Sequence, residues 1–149
     1  MGLDMWVTAK REYFSYREKP EENKVLQALK SVIAPIGGEA TIETEAIYWR
    51  KCNHIHSWFV KNIQDGLDDC GAYPLSLEDL RTLRNTCTKI LEDNSNALEL
   101  LPTQAGFFFG STDIDDRYFD SLKYTVEKLD EWLQLPDIED WRFSYHSSW

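Results

Sequence analysis

Apolar and polar side chains alternate over residues 3–9, with Leu3, Met5 and Val7 on one side and Asp4, Trp6 and Thr8 on the other. That period of two predicts a strand, and Tyr13, Phe14 and Tyr16 extend the signal as a second short one. The period then lengthens. Val25, Leu26, Leu29, Val32 and Ile33 form a helical stripe that Pro20, Glu21 and Glu22 open and Pro35 with Gly37 and Gly38 close. Residues 41–47 return to strand spacing, because Ile42, Thr44 and Ala46 alternate with Glu43 and Glu45.

The middle of the chain predicts an amphipathic helix over residues 49–63. At about 100° per residue, Tyr48, Trp49, Ile55, His56, Phe59 and Ile63 cluster around Cys52, while Arg50, His54, Ser57 and Lys61 face the other way. His56 is then expected on the buried face and His54 on the outer one, so the two imidazoles cannot share a metal ion unless this segment is extended. Residues 64–74 read as a loop punctuated by Gly66 and Gly71. Ser76 and Asp79 are spaced as a capping box for a helix whose core stripe is Leu77, Leu80, Leu83, Cys87, Ile90 and Leu91. Residues 93–105 suggest a loop around a short helical turn, and residues 106–110 (GFFFG) a brief strand or buried turn. Asp113 is placed to cap a long helix to about Leu135, with Tyr118, Leu122, Thr125, Val126, Leu129, Trp132 and Leu133 inward. Trp141, Phe143 and Tyr145, alternating with Arg142, Ser144 and His146, predict a closing strand.

Strand, helix, strand, three helices and a final strand imply an α+β fold in one domain spanning residues 1–149. A small antiparallel sheet of the N-terminal, 41–47 and C-terminal strands is covered by about four helices, and the last strand pairs with the first. With 149 residues, 42% hydrophobic and 13% aromatic, the chain can bury a sizeable core and is not disordered. No run approaches the roughly 18 apolar residues of a membrane helix, and the opening MGLDMWVTAKREYF lacks the layout of a secretion signal. Three cysteines without CxxC spacing suit reduced thiols in a cytoplasmic setting. Charge is uneven: residues 1–62 carry 9 Lys+Arg against 8 Asp+Glu, and residues 63–149 carry 7 against 18. The total of −10 argues against a nucleic-acid partner and fits either a solvated acidic surface or an acidic face that docks on a basic partner or mimics DNA.

Chemically able side chains concentrate in residues 48–73, YWRKCNHIHSWFVKNIQDGLDDCGAY. His56 with Asp65, Asp68, Asp69 and Cys70 is the candidate acid–base or metal group, since neighbouring carboxylates raise each other's proton affinity. The D-G-L-D-D run lacks calcium-loop spacing, however, and equally describes a turn whose carboxylates bond nearby backbone N–H groups. Cys70, flanked by a Gly in a polar loop, is the candidate nucleophile with His56 as its base, whereas Cys87 sits on a core stripe. Gly110-Ser111-Thr112 does not match a phosphate loop. Phe107, Phe108 and Phe109 are core candidates, but alternation turns one of them away, where it could stack on a ring beside Gln104 and Ser111. Arg50, Lys51 and Lys61 supply local positive charge. The binding constellation expected from these residues is Trp49, Arg50, Asn53, His56, Asp68, Asp69, Gln104 and Phe108.

Four phrases, MGLDM, YWRK-N-IH-WFV, QDG-DDCG-Y and LLPTQ-GFFFGST-D, resemble a group of uncharacterised small proteins encoded by bacteriophages and prophages. The resemblance covers about half the chain, chiefly residues 1–8, 47–73 and 99–119. It implies that Cys52, usually a small residue such as Ala in that group, is not chemically required, and that the chain is a viral accessory protein in a bacterial cytoplasm. It supplies no mechanism. The leading functional expectation is a non-enzymatic binding protein that interferes with a host or defence component, by docking on a protein or sequestering a small-molecule ligand, with no cofactor or metal. The alternatives are a small metal-assisted hydrolase or nuclease-like enzyme using His56, Asp68 and Asp69, and an oligomeric virion or assembly component.

Overall fold

The computed structural model describes residues 2–14, 17, 24–33 and 39–149. Four strands form one antiparallel sheet in the order β2-β1-β4-β3: β1 (Asp4–Phe14), β2 (Glu39–Arg50), β3 (Tyr73–Leu75) and β4 (Arg142–Ser148). The helices are α1 (Lys24–Ile33), α2 (Asn53–Asn62), α3 (Leu77–Glu92), α4 (Ala97–Leu100) and α5 (Asp116–Leu133). The α+β architecture expected from the pattern is therefore present, and β4 pairs with β1 along Asp4↔Ser148 to Lys10↔Arg142. Among the described residues no helix is long and apolar enough to cross a membrane.

β1 is a single strand rather than two, with Leu3, Met5, Val7, Ala9, Arg11 and Tyr13 all buried on one face. Tyr16 and the expected helix boundaries at Pro20, Glu21, Glu22, Pro35, Gly37 and Gly38 lie outside the described residues. Buried Arg11 pairs with Asp137 and Asp140 of the turn before β4, which ties the far end of β1 down.

β2 overruns its expected end and takes Tyr48, Trp49 and Arg50, which the helical reading had claimed. The cause is a bulge: Val7 faces Ile47 but Thr8 faces Glu45, so Ala46 is an extra residue and both Ala46 and Ile47 turn inward. That slip breaks the alternation just where Tyr48, Trp49 and Arg50 resume it, half-buried, buried and exposed in turn. The helix that follows starts only at Asn53. β3, read as loop from sequence, is too short to show a period, and Pro74 marks it as an edge strand.

Around the sheet, α3 and α5 pack against each other with Leu80, Leu83, Cys87 and Ile90 meeting Tyr118, Leu122 and Leu129 in one core. The capping box at Ser76 and Asp79 forms as expected. The cap of α5 is Asp115, not Asp113, because Asp115 accepts from the N–H groups of Arg117 and Tyr118 while Asp113 is taken by the Ser111 hydroxyl. Inside these layers runs α2, with every residue from Asn53 to Val60 buried.

Candidate functional site

Burial of α2 from Asn53 to Val60 overturns the expectation that His54 faces outward. His54 is 6% exposed and packs 4.3 Å from the Tyr118 ring, centroid to centroid. Its Nε2 lies 2.8 Å from Ser121 Oγ. Ser121 donates its own proton to the Tyr118 carbonyl, so it accepts from His54. The polar side of α2 is covered by α5 and the 101–111 segment, and its polar groups survive burial by pairing there.

His56 and the acidic turn do meet. The His56 Nε2 is 2.9 Å from Asp68 Oδ2, and its Nδ1 is 2.7 Å from the Tyr145 hydroxyl on β4. A carboxylate only accepts, so Nε2–H donates to Asp68 and, in the neutral ring, Nδ1 accepts from Tyr145. Phe109 stands edge-on to the imidazole at 5.3 Å, and the Trp149 indole closes the outside by donating to the other Asp68 oxygen at 3.0 Å. Burial pushes the Tyr145 phenol far up, which keeps it a neutral donor. The ring of His56 is wholly inaccessible, with both nitrogens engaged. This network braces α2 against β4 and the 64–70 turn, and it leaves the imidazole no accessible surface.

The other expected residues separate. Asp69 turns away from His56, its Oδ1 accepting from Gly71 N–H at 2.8 Å and from the Tyr73 hydroxyl at 3.0 Å, the turn geometry that the alternative reading described. Asp65 and Cys70 are exposed residues with φ of 50° and 57°, in the left-handed region. Cys70 lacks a base, since both His56 nitrogens are occupied. Burial raises the Cys52 and Cys87 thiols to about 12, so neither is a nucleophile near neutrality. Trp49 is buried and its indole N–H bonds Thr125 Oγ1 at 2.9 Å, while Arg50 is exposed. Among the described residues no three His, Cys, Asp or Glu side chains converge to hold a metal ion.

Asn53 has a different task. Its amide donates to the carbonyls of Phe109 and Ser111, and its oxygen accepts from Gln104 N–H at 2.9 Å. One buried side chain thus grips both arms of the GFFFG loop, which Leu3 N–H also holds through the Phe108 carbonyl at 3.2 Å. Phe109 anchors the loop inside, its ring resting on Gly106, where a Cβ would come within 2.4 Å. The outward member of the trio is Phe107, 94% exposed and edge-on to half-buried Phe108 at 4.7 Å. Tyr145 and Trp149 are the residues sequence reasoning left out of the site, and Phe107 takes the outward place expected of Phe108. The alternation of β4 carried an inward signal for Tyr145, but none for which imidazole it meets.

A cleft of about 200 Å³ opens on the other side of the same loop, between the end of β2, the start of α2 and the start of α5. Arg50, Lys51 and Arg117 stand at it, with His54 and Ser121 among its walls. Comparison with known proteins finds no matching family model, no matching curated protein and no matching solved structure.

Proposed function

We propose that this chain is a non-enzymatic binding protein that docks on a partner protein through the GFFFG loop. The observation that carries the reading is Phe107, a large apolar side chain 94% exposed on a loop fastened from both arms by Asn53 and from beneath by Phe109. Exposing a phenylalanine has a solvation cost, and fixing the loop beneath it removes the ordering cost that binding would otherwise carry. Such an aromatic fits an apolar pocket on a partner and acts as the anchor of the interface. The excess of carboxylates in residues 63–149 favours a basic partner at long range. The resemblance to phage and prophage proteins supports a host or defence component as that partner, in a bacterial cytoplasm. The metal-assisted enzyme reading has less support, because His56 is sealed and Asp68 and Asp69 point apart.

Paired baits test it. Wild type and Phe107→Ala should melt alike, because the side chain touches little of the core. Cross-linking and mass spectrometry from host cells should give a protein held by wild type and lost or weakened about thirtyfold in the variant. Identical retention by both baits, or none by either, contradicts the proposal.

A further inference from the structure

We infer that the cleft between β2, α2 and α5 binds a small phosphate-type oxoanion, separately from the docking loop. Among the described residues Lys51 and Arg117 have no acidic partner, in a chain whose Asp and Glu outnumber its Lys and Arg by 26 to 16. Two carboxylates share the cleft, Asp113 accepting from the Ser111 hydroxyl and Asp115 from the first N–H groups of α5, and neither is within ion-pair distance of Lys51 or Arg117. Arg50 adds a third cation, held only loosely at 3.9 Å from Asp4. Two cations without an ion-pair partner and a third held loosely, against two carboxylates, leave the concave site a surplus of positive charge that an anion can meet.

The position of Lys51 is built rather than incidental. Its backbone has φ 55°, a left-handed conformation that a lysine adopts at a cost. Its stem runs between two glycines: a Cβ at Gly110 would stand 3.0 Å from the Lys51 Cβ, and one at Gly2 would stand 3.2 Å from its Cε. A side chain at Gly110 would press on the lysine's backbone and stem, and one at Gly2 would nudge its tip. Deeper in the cleft, the His54 ring is 94% shielded, and because its Nε2–H donates to Ser121 its Nδ1 can only accept, which suits the P–OH of a singly protonated phosphate and not a bare anionic oxygen. At about 200 Å³ the space is smaller than the roughly 300–1,000 Å³ of drug-sized pockets, which suits a compact anion or the phosphate group of a small ester. This site uses side chains, unlike the backbone cradle of a phosphate loop, whose pattern Gly110-Ser111-Thr112 lacks.

Titration calorimetry on the full chain with inorganic phosphate and with glycerol 2-phosphate tests the inference. Saturable one-site binding is expected, weakened about tenfold or more in Lys51→Gln and in Arg117→Gln. Lys61→Gln, a surface control on the last turn of α2, and Phe107→Ala should bind as wild type does. Melting curves check that each variant is folded, and Arg117→Lys, which keeps the charge, should retain part of the affinity. A preference for the ester assigns an organophosphate, and equal affinities assign the free ion. Absence of saturable binding by both compounds, or equal weakening in Lys61→Gln, overturns the inference. Retained anion binding with failed docking, or the reverse, separates the two proposals.

Discussion

Replacing His56 with Ala removes a ring that is fully buried, bonded at both nitrogens and edge-on to Phe109. Truncating a large side chain in a packed interior costs about 3 kcal/mol at the lower end of the measured range. The Tyr145 hydroxyl is then stranded without its acceptor, adding about 1–3 kcal/mol. Asp68, at 23% exposure, regains water and adds little. The sum, about 4–6 kcal/mol, is a large share of the 5–15 kcal/mol that holds a typical domain together. Asp69→Ala loses only exposed turn bonds and should cost about 1 kcal/mol or less. Urea unfolding followed by tryptophan fluorescence measures both. A catalytic pair would show the opposite signature, with stable proteins and lost chemistry. The strut reasoning is refuted if His56→Ala unfolds at the wild-type urea concentration with an unchanged slope.

Three other outcomes follow from the same geometry. Burial lowers the His54 pKa from 6.5 to about 4, so the unfolded chain takes up a proton that the folded one refuses. The contribution is complete above pH 6.5 and falls as pH drops through 6.5 to about 4, by on the order of 3 kcal/mol. His54→Gln should flatten the stability–pH curve over that window relative to wild type, and parallel curves would contradict it. Gly110→Ala places a Cβ at φ 89° and 3.0 Å from Lys51, so it should destabilise by on the order of 2 kcal/mol in thermal unfolding. Asn53→Ala releases three backbone partners and should cost on the order of 3 kcal/mol, with faster amide exchange over residues 104–111 as the local readout.

Strand and helix periods carried the architecture: the inward faces of β1, α3, α5 and β4 are the apolar positions of their stripes. The errors have local causes. A single bulged residue, Ala46, put β2 out of phase and lent Trp49 to the wrong element. The polar face of α2 looked solvated at His54 because periodicity does not show that Ser121 waits to satisfy it. The approach of His56 to Asp68 was legible from composition around one turn, but the part of Phe109, where Phe108 was expected, and the closure were not. Tyr145 and Trp149 arrive from β4, more than eighty residues away, and no short-range pattern encodes that approach.

Histidine C2–H exchange in deuterated buffer, read by mass spectrometry, addresses the sealed imidazole most directly, because three histidines in one chain calibrate each other. Half-buried His146 should exchange readily, with His54 and His56 lagging far behind it. Exchange at His56 as fast as at His146 would mean that the ring meets solvent, and the case for a protein that works only through its surface would fail.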